Sequence, residues 1–212
     1  MYDAQLFCDF PATDLVILAG GQARRMQGQN KLLMQFDQQN QLLKILNVLE
    51  HQVAQVWINS HQDWQSYVSL NAKLKCFQDD DAGFFGPLMG MKSAWHYCQQ
   101  DYVLFVPCDV TYIPADILAK MHQALAQVAD SQVVYLQFNQ QPLYPFCLMK
   151  REALAILQQQ IAQQKLRLYD SFLQLHAQVI AITNCNISFH SLNSLEELQQ
   201  YQQELLKANA AD

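Results

Sequence analysis

The sequence predicts a single α/β domain in which a mostly parallel central sheet carries helices on both faces. Hydrophobic residues make up 51% of the 212 residues and charged residues only 15%, so a buried core is easily supplied. Short apolar runs alternate with segments of helical periodicity, which indicates βαβ units. No repeat and no linker-like stretch divides the chain. We therefore expect one domain over residues 1–212, with its core between about residues 14 and 207.

Seven apolar runs have strand character. The clearest is Tyr102–Pro107, which is apolar throughout, as expected for a strand buried on both faces. Two glycines follow the first run, 14–19. The remaining runs are 56–60, 74–78, 133–138, 145–149 and 178–183.

Five segments between or after these runs have helical patterns. In 40–52 an apolar stripe recurs at three- and four-residue spacing. A proline near the start, at a position that a first helical turn tolerates, favours helices from Pro87 towards residue 100 and from Ile113 onwards. The last two predicted helices are 151–164 and 194–206.

Charge and composition exclude several classes of protein. Thirteen Lys and Arg against nineteen Asp and Glu give a formal charge of −6, the wrong sign for a general nucleic-acid binder or a binder of anionic membranes. No apolar stretch approaches the roughly 20 residues of a membrane span, and residues 1–14 contain no Lys or Arg. The six cysteines form no C-x-x-C pair. These features predict a soluble, cytoplasmic protein. Because its net charge is negative, any anion that it binds must be held by a local cluster of positive residues.

The loop after the first strand is such a cluster. Open parallel sheets bind ligands beyond the carboxyl ends of their strands. There the glycine pair Gly20-Gly21 allows a tight turn that presents N–H groups to phosphates. Arg24, Arg25 and Lys31 add three cations within the same loop. The alternative is a surface turn with solvated charges. The spacing matches neither G-x-G-x-x-G nor the G-K-[ST] of a P-loop.

Two further segments follow predicted strands. Asp109 comes directly after the run 102–107 and is a candidate Mg²⁺ ligand, because Mg²⁺ takes one or two carboxylates plus substrate phosphates. A turn-capping role is the alternative. Asp79 begins a run of three acids, and Gly86-Pro87 begins a helix whose free N–H groups could contact an anion or a polar base.

These segments together resemble the molybdenum cofactor guanylyltransferases, a family of Rossmann-like nucleotidyltransferases. Leu18–Leu33 is similar to the family pattern L-A-G-G-x-x-x-R-M-G-G-x-D-K-x-L. Gly86–Gly90 resembles G-P-L-A-G, and Pro107–Asp109 is P-C-D. Gln141–Tyr144 is similar to Q-P-L-[FY], and Ser191–Leu198 looks like N-x-N-T-P-E-[DE]-L. The motifs occur in family order over about residues 15–201.

The resemblance implies transfer of GMP from GTP to the phosphate of the molybdenum cofactor, with Mg²⁺ and release of pyrophosphate. It implies Mg²⁺ on Asp109, catalytic roles for Arg25, Lys31 and Asp109, and a position for Asn193 near the pterin. Cofactor-delivery and molybdoenzyme-chaperone proteins are the partners it suggests. With the loop and helix-start arguments, the predicted nucleotide-binding residues are Leu18, Ala19, Gly20, Gly21, Lys31, Asn59, Asp79, Gly86 and Pro87.

The sequence departs from the family pattern at several positions. Asn30 stands where the pattern has Asp, which predicts that a carboxylate is missing beside Lys31 and that turnover could be slower or the substrate altered. Ser191 replaces an Asn and Leu195 a Pro. Two other functions therefore stay open: a cytidylyl- or sugar-nucleotide transferase of the same fold, and a non-catalytic nucleotide-binding relative.

Overall fold

A computed structural model describes residues 10–21, 29–81, 86–183 and 189–209. Over this part of the chain, seven strands form one sheet. They are β1 (Thr13–Leu18), β2 (Gln55–Asn59), β3 (Lys75–Phe77), β4 (Tyr102–Pro107), β5 (Val133–Phe138), β6 (Gln141–Lys150) and β7 (Gln178–Ile182).

Seven α-helices accompany these strands in the described ranges. They are α1 (Gln41–Leu49), α2 (Trp64–Leu70), α3 (Pro87–Ala94), α4 (Ile117–Gln127), α5 (Leu154–Ala162), α6 (Leu168–Gln174) and α7 (Leu195–Asn209). Short 3₁₀ turns span Lys31–Leu33, Glu50–Gln52 and Arg151–Ala153.

The strand order is β3-β2-β1-β4-β6-β5-β7. β1 pairs in parallel with β2 and β4, whereas β6 is antiparallel to both β4 and β5. The prediction of a mostly parallel sheet is confirmed. The antiparallel strand arises because only Asn139 and Gln140 join β5 to β6, both with positive φ (46° and 68°). This pair of φ values is typical of a tight two-residue hairpin.

The two faces of the sheet carry separate apolar cores. Alternate side chains of β1 point to opposite faces. Leu15 and Ile17 therefore join a core covered by α1 and α4, and Val16 and Leu18 join one covered by α3, α5 and α6. A smaller cluster holds α7 to the rest of the molecule through Phe36, Leu192, Leu198 and Tyr201.

Several helix boundaries differ from the prediction. α3 ends at Ala94 instead of continuing to residue 100, because the chain turns back and the carboxylate of Asp14 accepts hydrogen bonds from the N–H groups of Gln99 and Gln100 (2.8 and 3.3 Å). α4 begins at Ile117 and not at residue 113. Helices α2 and α6 were not predicted, since each is seven residues long and buries at most three side chains.

None of the described helices combines the length and the apolar composition needed to cross a bilayer.

Candidate nucleotide site

A cavity of about 740 Å³ opens at the carboxyl ends of β1, β2 and β4. Connections from β1 run outwards to β2 and β3, and the chain then crosses back to place β4 on the other side of β1. Such a point of reversal leaves a crevice between neighbouring strands, where open α/β sheets bind ligands. The sheet order thus explains the position of the cavity.

The cavity brings together every predicted site residue that the structure describes. Arg25, and with it Arg24, lies outside the described residues. The predicted residues that line the cavity are Leu18, Ala19, Gly20, Gly21, Lys31, Asn59, Asp79, Gly86, Pro87, Asp109 and Asn193.

Asn59 and Asp79 define one side of the cavity. Asn59 ends β2 and is almost fully buried, and its amide nitrogen donates a 2.9 Å hydrogen bond to Oδ1 of Asp79. Oδ2 of Asp79 lies 3.4 Å from Nε2 of His61. A carboxylate held in this way can accept hydrogen bonds from a ligand with paired N–H groups, as the edge of a nucleobase presents.

Two glycines make room for Asn59. A Cβ atom at Gly20 would lie 2.8 Å from Oδ1 of Asn59, and one at Gly90 would lie 2.6 Å from the same atom. Both distances are too short for a real contact. Gly90 belongs to α3, so this helix approaches the end of β2 as closely as its backbone allows. The need for glycine at position 90 to accommodate Asn59 was not predicted from the sequence.

The segment that carries Asp79 is fixed to α3 by its neighbour Asp80. The backbone N–H of Asp80 donates to Oγ of Ser93 (2.9 Å), and its carboxylate accepts from Lys92 (2.7 Å) and contacts His96 (3.0 Å). Burial raises the pKa of Asp80, but the hydrogen bonds from Lys92 and His96 outweigh it and leave that pKa below its usual value. These contacts hold the segment that carries Asp79 against α3.

Lys31 and Asp109 meet in the middle of the cavity. The ammonium of Lys31 lies 2.9 Å from Oδ2 of Asp109, and both side chains are largely buried. The same ammonium donates to the carbonyl oxygen of Leu192 (2.8 Å) and to Oδ1 of Asn193 (3.3 Å). A cation and a carboxylate therefore lie side by side on the wall of the cavity.

The closing segment before α7 packs beside Asp109. Val110 and Ser191 form an isolated antiparallel bridge, and the N–H of Leu192 donates to the carbonyl of Asp109 (3.0 Å). This brings Ser191 and Asn193 to the cavity wall, next to Leu143 and Pro145 of β6. Because β6 pairs with β4, this wall lies on the side of Asp109 that faces away from β2.

The cavity wall beside the start of α2 was not predicted from the sequence. Asn30, Ser60, Gln62 and Tyr67 line the cavity, and the amide nitrogen of Asn30 donates to Oδ2 of Asp63 and to the hydroxyl of Tyr67, both at 2.7 Å. A carboxylate is thus present beside Asn30, supplied by Asp63 at the start of α2. The position of Ser60 just after a strand was a usable signal; nothing in the sequence pointed to Asp63.

Cys108 is not equipped for nucleophilic chemistry, although it lies between Pro107 and Asp109 on the cavity wall. Burial, reinforced by the negative charge of Asp109, raises the pKa of its thiol to about 12. A thiol with a pKa this high is neutral near pH 7, which is unfavourable for a nucleophile.

A metal ion at this site would depend on the substrate for ligands. Within the described ranges no group of three or more His, Cys, Asp or Glu side chains could hold a metal by itself. One carboxylate facing a phosphate-sized space suits Mg²⁺, which keeps several waters and binds through one or two carboxylates plus substrate phosphates. The donor set at Asp109 fits Mg²⁺ on these terms.

The fold and the cavity place the chain in the class of α/β nucleotidyltransferases. Residues 15–179 match the family described as the MobA-like NTP transferase domain. A molybdenum cofactor guanylyltransferase of Acinetobacter baumannii is 58% identical over 194 residues, which cover 92% of this chain and 93% of that protein. The chain belongs to this family, the molybdenum cofactor guanylyltransferases with a MobA-like domain, as the sequence motifs indicated.

Solved structures share the fold at much lower identity. Molybdopterin-guanine dinucleotide biosynthesis protein A from Archaeoglobus fulgidus superposes with a TM-score of 0.68 at 16% identity, covering 92% of this chain and 99% of that one. A 4-diphosphocytidyl-2C-methyl-D-erythritol synthase from Anaerococcus prevotii gives 0.67 at 10% identity, covering 92% and 96%. Both confirm the predicted fold class.

Proposed function

We propose that this chain transfers GMP from GTP to the phosphate of the molybdenum cofactor, which yields the guanine dinucleotide cofactor and pyrophosphate. The observation that carries the proposal is that one cavity contains both the Asn59–Asp79 pair and the Lys31–Asp109 pair. Relatives named for this activity at 58% identity support it.

The Asn59–Asp79 pair is the proposed binding site for guanine. Guanine presents a ring N–H and an exocyclic amino group side by side, and a carboxylate can accept hydrogen bonds from both. Asn59 holds the Asp79 carboxylate in place, because its amide nitrogen donates to Oδ1 of Asp79. Leu18, Ala19 and Gly20 then continue the nucleotide site from the end of β1 towards Lys31.

Lys31, Arg25 and Asp109 are the proposed catalytic residues. An oxygen of the acceptor phosphate forms the new bond to the α-phosphorus of GTP, the bond to the bridging oxygen breaks, and pyrophosphate leaves with that electron pair. The acceptor is already an anion, so no strong general base is required. Lys31 and Arg25 offset the repulsion between the two anions and stabilise the departing charge.

Gly21, Gly86 and Pro87 are proposed to line the phosphate and ribose portion of the site, which fits their position on the cavity wall. Asp109 is proposed to hold Mg²⁺. When bound there, Mg²⁺ would neutralise charge on the triphosphate and orient it for in-line transfer.

The wall formed by Leu143, Pro145, Ser191 and Asn193 is the proposed acceptor side. This wall and the proposed guanine site lie on opposite sides of Asp109. A second substrate that approaches from the side of the wall would meet the triphosphate of GTP near Asp109. Its mixture of apolar and polar groups suits a flat, polar pterin. Exchange of the acceptor and the product with cofactor-delivery or molybdoenzyme-chaperone proteins stays a prediction.

Pyrophosphate release tests the proposal directly. Each of GTP, CTP, UTP and ATP is incubated with the protein and Mg²⁺, with and without molybdenum cofactor, and we expect release only with GTP plus cofactor. Thermal unfolding supplies the binding control, because a nucleotide at a hundred times its Kd stabilises the fold by about 2.7 kcal/mol. Preference for CTP would favour a cytidylyltransferase, and GTP binding without release would favour a non-catalytic relative.

A further inference from the structure

The amide of Asn30 connects the Lys31 segment to helix α2. Its oxygen accepts a hydrogen bond from the N–H of Leu32 (3.0 Å) and thereby caps the 3₁₀ turn Lys31–Leu33. Its nitrogen donates to the carboxylate of Asp63 and to the hydroxyl of Tyr67, each at 2.7 Å. Hydrogen bonds to three different residues thus hold Asn30, the residue directly before Lys31, in place.

The direction of these hydrogen bonds decides which residue types are possible. An amide nitrogen donates to a carboxylate, whereas two ionised carboxylates at the same distance repel each other. Asp63 carries the negative charge of this contact, so the side chain at position 30 must donate to it. The family pattern has Asp at position 30; in this chain an Asp there would face the carboxylate of Asp63.

Asp63 is held in an unusual backbone conformation. Its φ is +62°, a left-handed value that Asp adopts more readily than most residues but that still carries strain. Asp63 also directly precedes α2, where the hydroxyl of the buried Tyr67 faces Asn30. In this conformation Asp63 accepts a charge-assisted hydrogen bond from Asn30, a class of bond roughly twice as strong as a neutral one.

We propose that Asn30 and Asp63 form a reciprocal positioning pair that sets the place of the Lys31 ammonium at the triphosphate. Lys31 follows Asn30 directly, and its side chain extends to Asp109 across the cavity. A shift of the turn Lys31–Leu33 therefore moves the Lys31 ammonium relative to any phosphate bound in the cavity. Asn59 and Asp79 belong to other segments of the chain and would not move with this turn. This inference rests on the proposed binding of GTP in the cavity.

The experiment compares GTP with guanosine, which lacks the phosphates. Asn30→Asp places two carboxylates face to face. We expect it to weaken GTP binding by about tenfold, the scale of one lost charge-assisted hydrogen bond, and to leave guanosine binding unchanged. Isothermal titration calorimetry measures both affinities in variants shown by circular dichroism to be folded at the titration temperature. Where transfer is active, kcat falls as well.

The double variant Asn30→Asp/Asp63→Asn restores the charge balance with the donor and acceptor reversed. The introduced carboxylate can accept from the amide at position 63, from the Tyr67 hydroxyl and from the Leu32 N–H. We expect GTP binding to return to near the wild-type value. The matched control is Asn40→Asp, the same change at the N-cap of α1, where Asn40 accepts from Leu43 N–H (2.9 Å) and does not line the cavity.

Each outcome is decisive. Unchanged GTP affinity in Asn30→Asp overturns the proposal, as does an equal loss for GTP and guanosine, which would mean general damage to the fold. A loss that persists in the double variant overturns it too, because the cause is then repulsion between the new carboxylate and the triphosphate. A protein that binds GTP as described but releases no pyrophosphate contradicts the proposed reaction and leaves the pairing intact.

Discussion

The ammonium of Lys31 lies 2.9 Å from the carboxylate of Asp109, although 78 residues separate them in the chain. Lys31 belongs to the segment after β1 and Asp109 follows β4, its parallel neighbour in the sheet. In this structure Lys31 therefore neutralises the carboxylate that we propose as the Mg²⁺ ligand. One contact joins the residue that would bind phosphate to the residue that would bind metal.

Asp109→Asn tests the proposed metal ligand. The neutral amide can still accept from Lys31, so we expect the fold to survive while Mg²⁺-dependent pyrophosphate release falls by about 10²- to 10³-fold, the scale of one electrostatic group. The matched control is Asp37→Asn, which alters a carboxylate paired with Lys44 at 2.6 Å outside the cavity. Wild-type turnover and Mg²⁺ dependence in Asp109→Asn would remove the metal assignment.

Asp79→Asn tests the proposed guanine contact. An amide can accept from only one of the two adjacent donors of guanine, so GTP affinity should fall by about 10- to 100-fold, the scale of a lost bidentate contact. The affinity for inosine triphosphate, which lacks the exocyclic amino group, should fall less than the affinity for GTP. Calorimetric titration of both nucleotides measures the difference, with Asp81→Asn, a change at an exposed carboxylate, as the control. Equal losses for the two nucleotides would contradict the assignment.

Gly90→Ala tests the packing of α3 against Asn59. The added methyl group would lie 2.6 Å from Oδ1 of Asn59, so Asn59 must move away from Asp79, and we expect about tenfold weaker GTP binding. The helix itself should tolerate Ala well. The control is a double-mutant cycle with Asn59→Ala, in which Gly90→Ala should cause little further loss. Additive losses would show that Gly90 acts by another route.

His122 predicts a pH dependence of stability that is separate from the site. Burial lowers its pKa to about 4 from an ordinary value of 6.5. Between these two pH values the unfolded state binds one more proton than the folded state. The contribution of neutral His122 to the free energy of unfolding is therefore fully present above pH 6.5 and is lost as the pH falls towards 4. From pH 7 to pH 5 the free energy of unfolding should fall by about 2 kcal/mol.

Urea unfolding of wild type and His122→Gln at pH 7 and pH 5 measures this loss. Oγ1 of Thr13 donates to the carbonyl of Pro11 (2.9 Å), so Nε2 of His122, at 2.8 Å from the same oxygen, carries the proton of the neutral ring. We expect the substitution to lower stability at pH 7 and to flatten its decline towards pH 5. The same slope in both proteins would assign the acid sensitivity to other groups.

The cavity could be anticipated because its main residues follow strands. Gly20, Asn59 and Asp109 each come after an apolar run, and parallel strands bring their carboxyl ends to one edge. The Asn30–Asp63 contact could not be anticipated in this way. It depends on a seven-residue helix with one buried side chain, which leaves too weak a periodic pattern to recognise.

The sequence by itself determined the α/β class, most strands, the family and about half of the residues that line the cavity, since these depend on local hydrophobic patterning and on motifs of contiguous residues. Only the tertiary structure decided that β6 runs antiparallel, that Asn59 requires Gly20 and Gly90, and that Asn30 pairs with the carboxylate of Asp63. These features arise from contacts between residues distant in the chain, whose geometry is set only when the layers pack.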